Sequence, residues 1–121
     1  MGKRILTVDD SRTMREMVAL TLRGAGFDVV QADDGINALK TLETNVVDMI
    51  ITDLNMPNMD GLELVRALRA KPQFKGVPIL FLTTRNSDAD KNASRAAGAT
   101  GWIVKPFDPA RLVQVVNKVC P

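Results

Sequence analysis

Short apolar runs alternate along the chain with longer segments in which apolar residues recur at helical spacing. The short runs predict five strands, over residues 4–9, 27–32, 47–53, 78–83 and 101–105. The stretches "MII" at 49–51 and "ILFL" at 79–82 are continuously apolar, which is typical of strands buried on both faces. The strand pattern therefore favours a parallel sheet covered by helices.

Four of the longer segments each place apolar residues on one helical face, and a fifth does so more weakly. The predicted faces are Met14, Met17, Val18 and Thr21; Ala38, Leu39 and Leu42; Leu62, Val65 and Leu68; and Leu112, Val116 and Val119. The weaker helix, over 88–97, has only alanine as apolar content, and we expect it to be the least firmly packed; its alanines are Ala89, Ala93, Ala96 and Ala97. Five β-then-α units predict an α/β fold, a doubly wound five-stranded parallel sheet with helices on both faces.

Capping residues support these helix boundaries. Asp60 with Glu63 predicts a capping pair, and Asp108 before Pro109 predicts a cap followed by a first-turn proline. Helix ends are predicted at three glycines, Gly24, Gly26 and Gly98. Because no linker or repeat interrupts these signals, we interpret residues 1–121 as one domain.

Composition narrows the function. The net charge is only +2 and no basic block occurs, so nucleic-acid binding has no direct support. Cys120 is the only cysteine and there is no histidine, which excludes a disulfide framework and makes zinc improbable. The N-terminal apolar run is too short for a signal peptide. An N-myristoylation motif needs Ser or Thr at position 6, which is Leu6 here. We expect a cytoplasmic protein that does not bind membranes.

Polar residues follow four of the predicted strands, and parallel strands bring their carboxyl ends to one edge of the sheet. These residues are Asp9 and Asp10, Asp53, Thr83 and Thr84, and Lys105. Each alone has a structural explanation, such as a helix cap, a turn or a solvated charge. Three carboxylates at one edge, however, repel one another unless a cation lies among them, and oxygen-only ligands favour Mg²⁺. Magnesium in turn indicates phosphoryl chemistry.

The motifs "VDD", "TDLNMPNMDG", "FLTT" and "VKPF" resemble the receiver domain of two-component response regulators. The resemblance spans the whole chain and extends to the single-domain, CheY-like chemotaxis regulators through "DDSRTMR" and "NMPNMDGLEL". It implies a flavodoxin-like strand order, 2-1-3-4-5.

The resemblance also implies a role for each site residue. Asp53 would be the phosphoacceptor, a carboxylate that takes a phosphoryl group from a histidine kinase. Mg²⁺ would be bound by the side chains of Asp10 and Asp53, the backbone carbonyl of Asn55 and, through water, Asp9.

Two further residues would bind the phosphoryl oxygens. Lys105 would pair with them, and Thr83 would turn inward to donate a hydrogen bond. The peptide bond between Lys105 and Pro106 is expected to be cis. These roles imply a switch protein, not an enzyme, that phosphorylates itself from small donors with Mg²⁺ and dephosphorylates itself.

Three positions depart from the family pattern. Trp102 stands where the chemotaxis regulators carry a switching tyrosine, so a bulkier aromatic holds the switch position. Thr84 stands where Ala or Gly is common, which narrows access to the phosphoryl group. Arg85 replaces an acidic residue, and with Asn55 it occupies the two positions that tune hydrolysis in receivers.

The implied partners are a CheA-like histidine kinase and a downstream target protein such as the flagellar motor switch. The target would bind the face formed by the fourth helix, fifth strand and fifth helix, with the protein acting as a monomer. On the fourth helix, Asp88, Lys91 and Arg95 share a face that is either solvated surface or partner contact.

Several alternatives compete with this switch. The protein could be a phosphate sink, a regulator of a non-motor pathway, or a pseudo-receiver that works without phosphorylation, although intact acidic residues disfavour the last. A flavodoxin is disfavoured because Asp9 and Asp10 would repel the FMN phosphate. A haloacid-dehalogenase-like phosphatase needs an aspartate where Asn55 stands.

Overall fold

The computed structural model describes residues 3–120, and five parallel strands form its sheet in the order β2-β1-β3-β4-β5. The strands are β1 (Arg4–Val8), β2 (Asp28–Ala32), β3 (Met49–Thr52), β4 (Ile79–Thr83) and β5 (Gly101–Val104). All five lie within two residues of their predicted boundaries. The doubly wound fold and the strand order are confirmed.

Five α-helices connect or follow the strands. They are α1 (Arg12–Gly24), α2 (Gly35–Thr44), α3 (Gly61–Arg69), α4 (Asp88–Ala97) and α5 (Pro109–Val119), with a short 3₁₀ turn at Pro72–Phe74. Two buried apolar clusters cover the two faces of the sheet. One contains residues of α2, α3 and α4, and the other contains residues of α1 and α5.

Helix termini follow the predicted capping chemistry. Asp60 and Glu63 form a complete capping box at α3, and the Asp108 side chain accepts a hydrogen bond from the Arg111 amide at α5. Gly98 ends α4 with a φ of 106°, a conformation that glycine adopts without steric penalty.

Arg69 forms hydrogen bonds near the amino ends of β4 and β5, at the end of the sheet opposite the predicted site. Its guanidinium donates hydrogen bonds to the carbonyl oxygens of Phe74, Val77 and Gly98. One side chain thus ties the end of α3 to the segments that lead into β4 and β5.

The predicted packing face of α1 is partly wrong. Met17 is 50% exposed, whereas Val18, Ala19 and Leu22 are buried against the sheet. Residues 17–20 are all apolar, so their spacing did not determine which row faces inward. Docking of Val18 and Leu22, one turn apart, leaves Met17 and Leu20 toward solvent.

The expected packing of α4 also needs correction. Ala89 and Ala96 are exposed, while Ser94 and Ala97 are buried. Burial of Ser94 is tolerated because its hydroxyl donates to the backbone carbonyl of Asp90, at 2.8 Å. A serine therefore occupies a packing position that a search for apolar residues overlooks.

Among residues 3–120, no helix combines the length and hydrophobicity that crossing a bilayer requires.

Candidate functional site

Three carboxylates meet at the carboxyl edge of the sheet. Asp9 follows β1 and Asp53 follows β3, and the Asp53 amide donates to the carbonyl of Val8 at 2.9 Å, which holds the two strand ends together. One carboxylate oxygen each from Asp9, Asp10 and Asp53 lies within 4.8 Å of the others. Asp9 is buried and Asp10 is exposed, so the cluster opens to solvent on one side.

Lys105, directly after β5, reaches two of these carboxylates. Its Nζ lies 2.6 Å from Asp9 Oδ2 and 3.0 Å from Asp53 Oδ2. Burial by itself would lower the pKa of Lys105, but hydrogen bonds and charge from Asp9 and Asp53 raise it above 10.5. Lys105 is therefore a fixed cation at neutral pH.

Asp9 occupies the most enclosed position of the three. Burial raises the pKa of Asp9 above 3.8, although the hydrogen bonds from Lys105 and the Ser11 amide act in the opposite direction. The Arg15 guanidinium donates to the Asp9 backbone carbonyl at 2.6 Å and anchors this turn to α1. Asp9 is thus the most buried carboxylate of the cluster.

Lys105 provides part of the positive charge that, from the sequence, we expected a metal ion to provide. It neutralises charge at Asp9 and Asp53, and no ion pair to Asp10 occurs within residues 3–120. One lysine among three carboxylates still leaves net negative charge in the cluster, including that of Asp10 at its open side.

The Asp53 carboxylate is held in one orientation. Oδ1 accepts a hydrogen bond from the Leu54 amide at 2.6 Å, and Oδ2 accepts from Lys105. The side chain is partly exposed, so an electrophile can reach it from solvent. Such a carboxylate can act as a nucleophile.

A sequence profile described as the response regulator receiver domain matches residues 5–117. The chain belongs to this family. It is 41% identical over 118 residues to chemotaxis protein CheY1 of Helicobacter pylori, with 96% of this chain and 95% of the relative covered.

Solved structures agree with this membership. The chemotaxis response regulator CheY4 of Vibrio cholerae superimposes with a TM-score of 0.93 at 45% identity, covering 98% of this chain and 99% of that one. The receiver domain of the sensor kinase PA1611 from Pseudomonas aeruginosa, which has magnesium coordinated in its active-site cleft, gives 0.91 at 30% identity, covering 99% and 98%. The protein is a CheY-like receiver domain.

Receiver domains bind Mg²⁺ at an acidic pocket. The donor set of this receiver fits that ion, because it offers carboxylate oxygens and no nitrogen or sulfur ligand. Asp10 also lines an open depression together with Asn55, Met56, Pro57 and Asp60. This open space gives a hydrated ion access to Asp10.

The other predicted residues of this receiver lie around the cluster. Thr83 ends β4 fully buried, and its hydroxyl accepts a hydrogen bond from the Arg85 amide at 3.3 Å. Thr84 is exposed. The bond between Lys105 and Pro106 is cis, as expected.

Trp102 lies apart from the carboxylates, on the side of β5 that faces α4. Its ring packs on Phe81 with centroids 5.6 Å apart, and its Nε1 is buried without a hydrogen-bond partner within residues 3–120. Lys91 and Arg95 of α4 line a groove beside the indole. The indole is thus already partly buried.

Arg85 bridges the mouth of the site. Its Nη1 donates to Asn55 Oδ1 at 3.1 Å, and its Nε donates to Asp90 Oδ2 at 3.1 Å. The hydrogen bonds of Arg85 and of Ser87 lower the pKa of Asp90, with the Ser87 side chain contributing most. The two positions that the sequence linked to hydrolysis are therefore in direct contact.

Sequence reasoning missed the pair Asp34 and Asn58. Asn58 Nδ2 donates to Asp34 Oδ2 at 2.8 Å, across 24 positions of the chain. The sequence did contain a signal for this pair. Asp34 precedes Gly35 at the start of a predicted helix, and Asn58 is a residue type that favours turns.

Proposed function

We propose that this receiver domain is a phosphorylated switch in which Asp53 accepts a phosphoryl group from a histidine kinase. The observation that carries the proposal is the Asp53 carboxylate, which is fixed by Leu54 and Lys105 and grouped with two other carboxylates. An Asp53 oxygen attacks phosphorus, and the P–N bond of the kinase phosphohistidine breaks. The imidazole leaves with the bonding electrons and takes a proton, so that an acyl phosphate forms.

The metal ligands proposed are the carboxylates of Asp10 and Asp53 and the backbone carbonyl of Asn55, with Asp9 acting through water. The oxygen-only donors of this chain support this set, as does the magnesium in the PA1611 receiver cleft. Bound Mg²⁺ would neutralise negative charge on the carboxylates and on the phosphoryl oxygens.

Lys105 and Thr83 are proposed to recognise the transferred group. Lys105 Nζ already binds an Asp53 oxygen, so it is placed to pair with phosphoryl oxygens attached there. The buried Thr83 hydroxyl would exchange its Arg85 amide contact for a phosphoryl oxygen. This movement would alter the face formed by α4, β5 and α5, including Trp102, for a partner.

The pathway proposed is chemotaxis, with a CheA-like kinase and a target such as the flagellar motor switch. The chemotaxis proteins CheY1 and CheY4, similar over nearly the whole chain, support this assignment. We propose residues 1–121 as one receiver domain acting as a monomer in the cytoplasm.

Mass spectrometry after treatment with acetyl phosphate or phosphoramidate and Mg²⁺ tests the acceptor. Wild type should gain about 80 Da, the mass of one phosphoryl group. Asp53→Asn should gain nothing, whereas the matched control Asp88→Asn, an exposed aspartate of α4, should gain as wild type does. A gain that persists in Asp53→Asn would exclude Asp53 as the acceptor.

A further inference from the structure

The loop between β3 and α3, residues 54–60, is attached to the start of α2. Asp34 is the N-cap of α2 and is only 5% exposed. Its Oδ1 accepts from the Asn37 amide and its Oδ2 from Asn58 Nδ2, both at 2.8 Å. One carboxylate therefore caps a helix and holds the loop at the same time.

Backbone geometry strengthens this attachment. Asn58 has a φ of 69°, a conformation that asparagine tolerates better than most residues. Next to it, the Met59 carbonyl accepts a hydrogen bond from the Gly35 amide at 3.1 Å. A Cβ on Gly35 would lie 2.6 Å from Met59 Cγ, so the two segments are in contact without space for a side chain.

The contact involves a charged acceptor. The hydrogen bond from the Asn37 amide, followed by that from Asn58, lowers the pKa of Asp34, so the carboxylate is ionised at neutral pH. Hydrogen bonds to an ionised group are about twice as strong as neutral ones.

The same loop contains Asn55, and it is also tied at its base. The Gly61 amide donates to the Leu54 carbonyl at 2.9 Å, which closes the loop beside Asp53. Asn55 thus lies between a tie at the loop base and a tie at Asn58, while its own side chain is exposed at the mouth. The two ties therefore limit how far the backbone at Asn55 can move.

We infer that Asp34 and Asn58 are positioning residues for Mg²⁺ binding, which hold the 54–60 loop so that the Asn55 carbonyl stays at the carboxylate cluster. The inference rests on the proposed function, because it takes that carbonyl as a metal ligand. Neither residue is proposed as a ligand of the ion.

Two single variants, and a double variant that exchanges the two side chains, test the pair. Asn58→Gly removes the amide but keeps the positive φ accessible, and Asp34→Asn keeps an oxygen to cap α2 but removes the charge. Each single variant should raise the Mg²⁺ dissociation constant, measured by calorimetry, about tenfold, as loss of a supporting hydrogen bond does at other metal sites. The double variant Asp34→Asn/Asn58→Asp reverses donor and acceptor and should recover most of the affinity.

A control separates positioning from general stability. Arg69→Met removes hydrogen bonds at the opposite edge of the sheet, so it should lower the melting temperature without Mg²⁺ and leave Mg²⁺ affinity unchanged. Hydrogen exchange without Mg²⁺ should show faster exchange at the Gly35 and Gly61 amides in Asn58→Gly, but not in Arg69→Met.

The outcomes distinguish this inference from the proposed function. Unchanged Mg²⁺ affinity in both single variants, with wild type binding Mg²⁺, would overturn the positioning role alone. Failure of the exchange variant to recover would overturn it as well, because the role requires the pair. If wild type does not bind Mg²⁺, or if Asp10→Asn binds it equally well, the proposed metal site itself is wrong.

Discussion

The two walls of the site are built differently. The 54–60 loop is tied by the Asp34–Asn58 hydrogen bond, by contact with Gly35 and by the capping box of α3. On the other wall, residues 84–89 between β4 and the first turn of α4 are all exposed, and α4 buries only Ser94 and Ala97. The first wall is therefore attached to the start of α2, whereas the second is exposed and held mainly by hydrogen bonds of Arg85 and Ser87 at the surface.

Under the proposed function, this difference suits the two walls to different tasks. A metal site benefits from ligands that do not need to be ordered on binding, which suits the tied loop. A switch needs an element whose rearrangement disturbs little of the core, which suits the segment after Thr83. Arg85 spans both walls through Asn55 and Asp90 and is the direct link between them.

The largest expected effect comes from disturbing the first wall. In Gly61→Ala the new Cβ would collide with the Asp53 carbonyl oxygen and lie 2.7 Å from Phe81 Cε1. We expect a loss of about 2–3 kcal/mol in unfolding free energy, together with loss of phosphorylation. Denaturant unfolding measures this loss. Gly76→Ala is the control, since nothing lies within 4 Å of its Cβ, and an equal loss there would contradict the packing explanation.

The next effect concerns charge at the open side of the cluster. Asp10 has no ion pair within the described residues, so Asp10→Asn should stabilise the metal-free protein by about 1 kcal/mol while abolishing Mg²⁺ binding. Melting curves with and without Mg²⁺ measure both changes. Wild type should gain about 1.4 kcal/mol from Mg²⁺ at tenfold the dissociation constant. A Mg²⁺-dependent shift that persists in Asp10→Asn would remove Asp10 from the metal site.

The attachment of the loop should depend on pH. Because the folded-state pKa of Asp34 is below 3.8, its charged form stabilises the fold. The stability difference between wild type and Asp34→Asn should be complete above pH 3.8 and disappear as pH falls through the lower folded-state pKa. Unfolding measured across this range tests the sign. A difference that grows on acidification would show that the neutral carboxyl is the favoured form.

A smaller effect, on the half-life of the acyl phosphate, is expected from replacing Arg85, which links the two walls. Arg85→Ala should change the half-life of the acyl phosphate by about threefold, because we propose that Arg85 and Asn55 flank the path of the attacking water. Asp90→Asn should shift the half-life in the same direction, since Asp90 holds the guanidinium. Lys91→Ala, on the same helix, is the control. Identical half-lives in wild type, Arg85→Ala and Arg85→Glu would exclude Arg85 from hydrolysis.

The smallest effect is spectroscopic. If Thr83 moves toward a phosphoryl mimic, the adjacent wall rearranges and Trp102 exchanges remaining water for apolar contact, so its emission should shift to the blue. The shift should be small because the indole is already packed on Phe81. Beryllofluoride with Mg²⁺ should produce it in wild type but not in Thr83→Ala, and Mg²⁺ alone should do much less. An unchanged spectrum with the mimic bound would place the response in α4 and its preceding loop.

Sequence patterns predicted the sheet well because buried parallel strands need continuous apolar runs, as at Ile79–Thr83. Asp9, Asp53 and Lys105 were predicted to converge because each follows a strand. The orientation of α1 was not predictable, since apolar residues surround it at 17–20 and only tertiary packing selects a face.

Side-chain contacts between loops far apart in the sequence could not be predicted either. The Arg85–Asn55 contact spans 30 positions and depends on side-chain conformations that no local pattern specifies. Lys105 was predicted to lie near Asp9 and Asp53, but its direct ion pairs with both carboxylates were not, because they depend on where β5 docks.

The ion pair between Lys105 and Asp9 joins residues 96 positions apart and so has a consequence for folding. Strands β2, β1 and β3 are neighbours in the sheet and come from the first half of the chain, whereas β4 and β5 come from the second half. Lys105 can reach Asp9 and Asp53 only when β5 is paired with β4 in the sheet. A nascent or truncated chain that ends before β5 therefore carries Asp53 without its buried cation, and this charge environment is complete only in the full sheet.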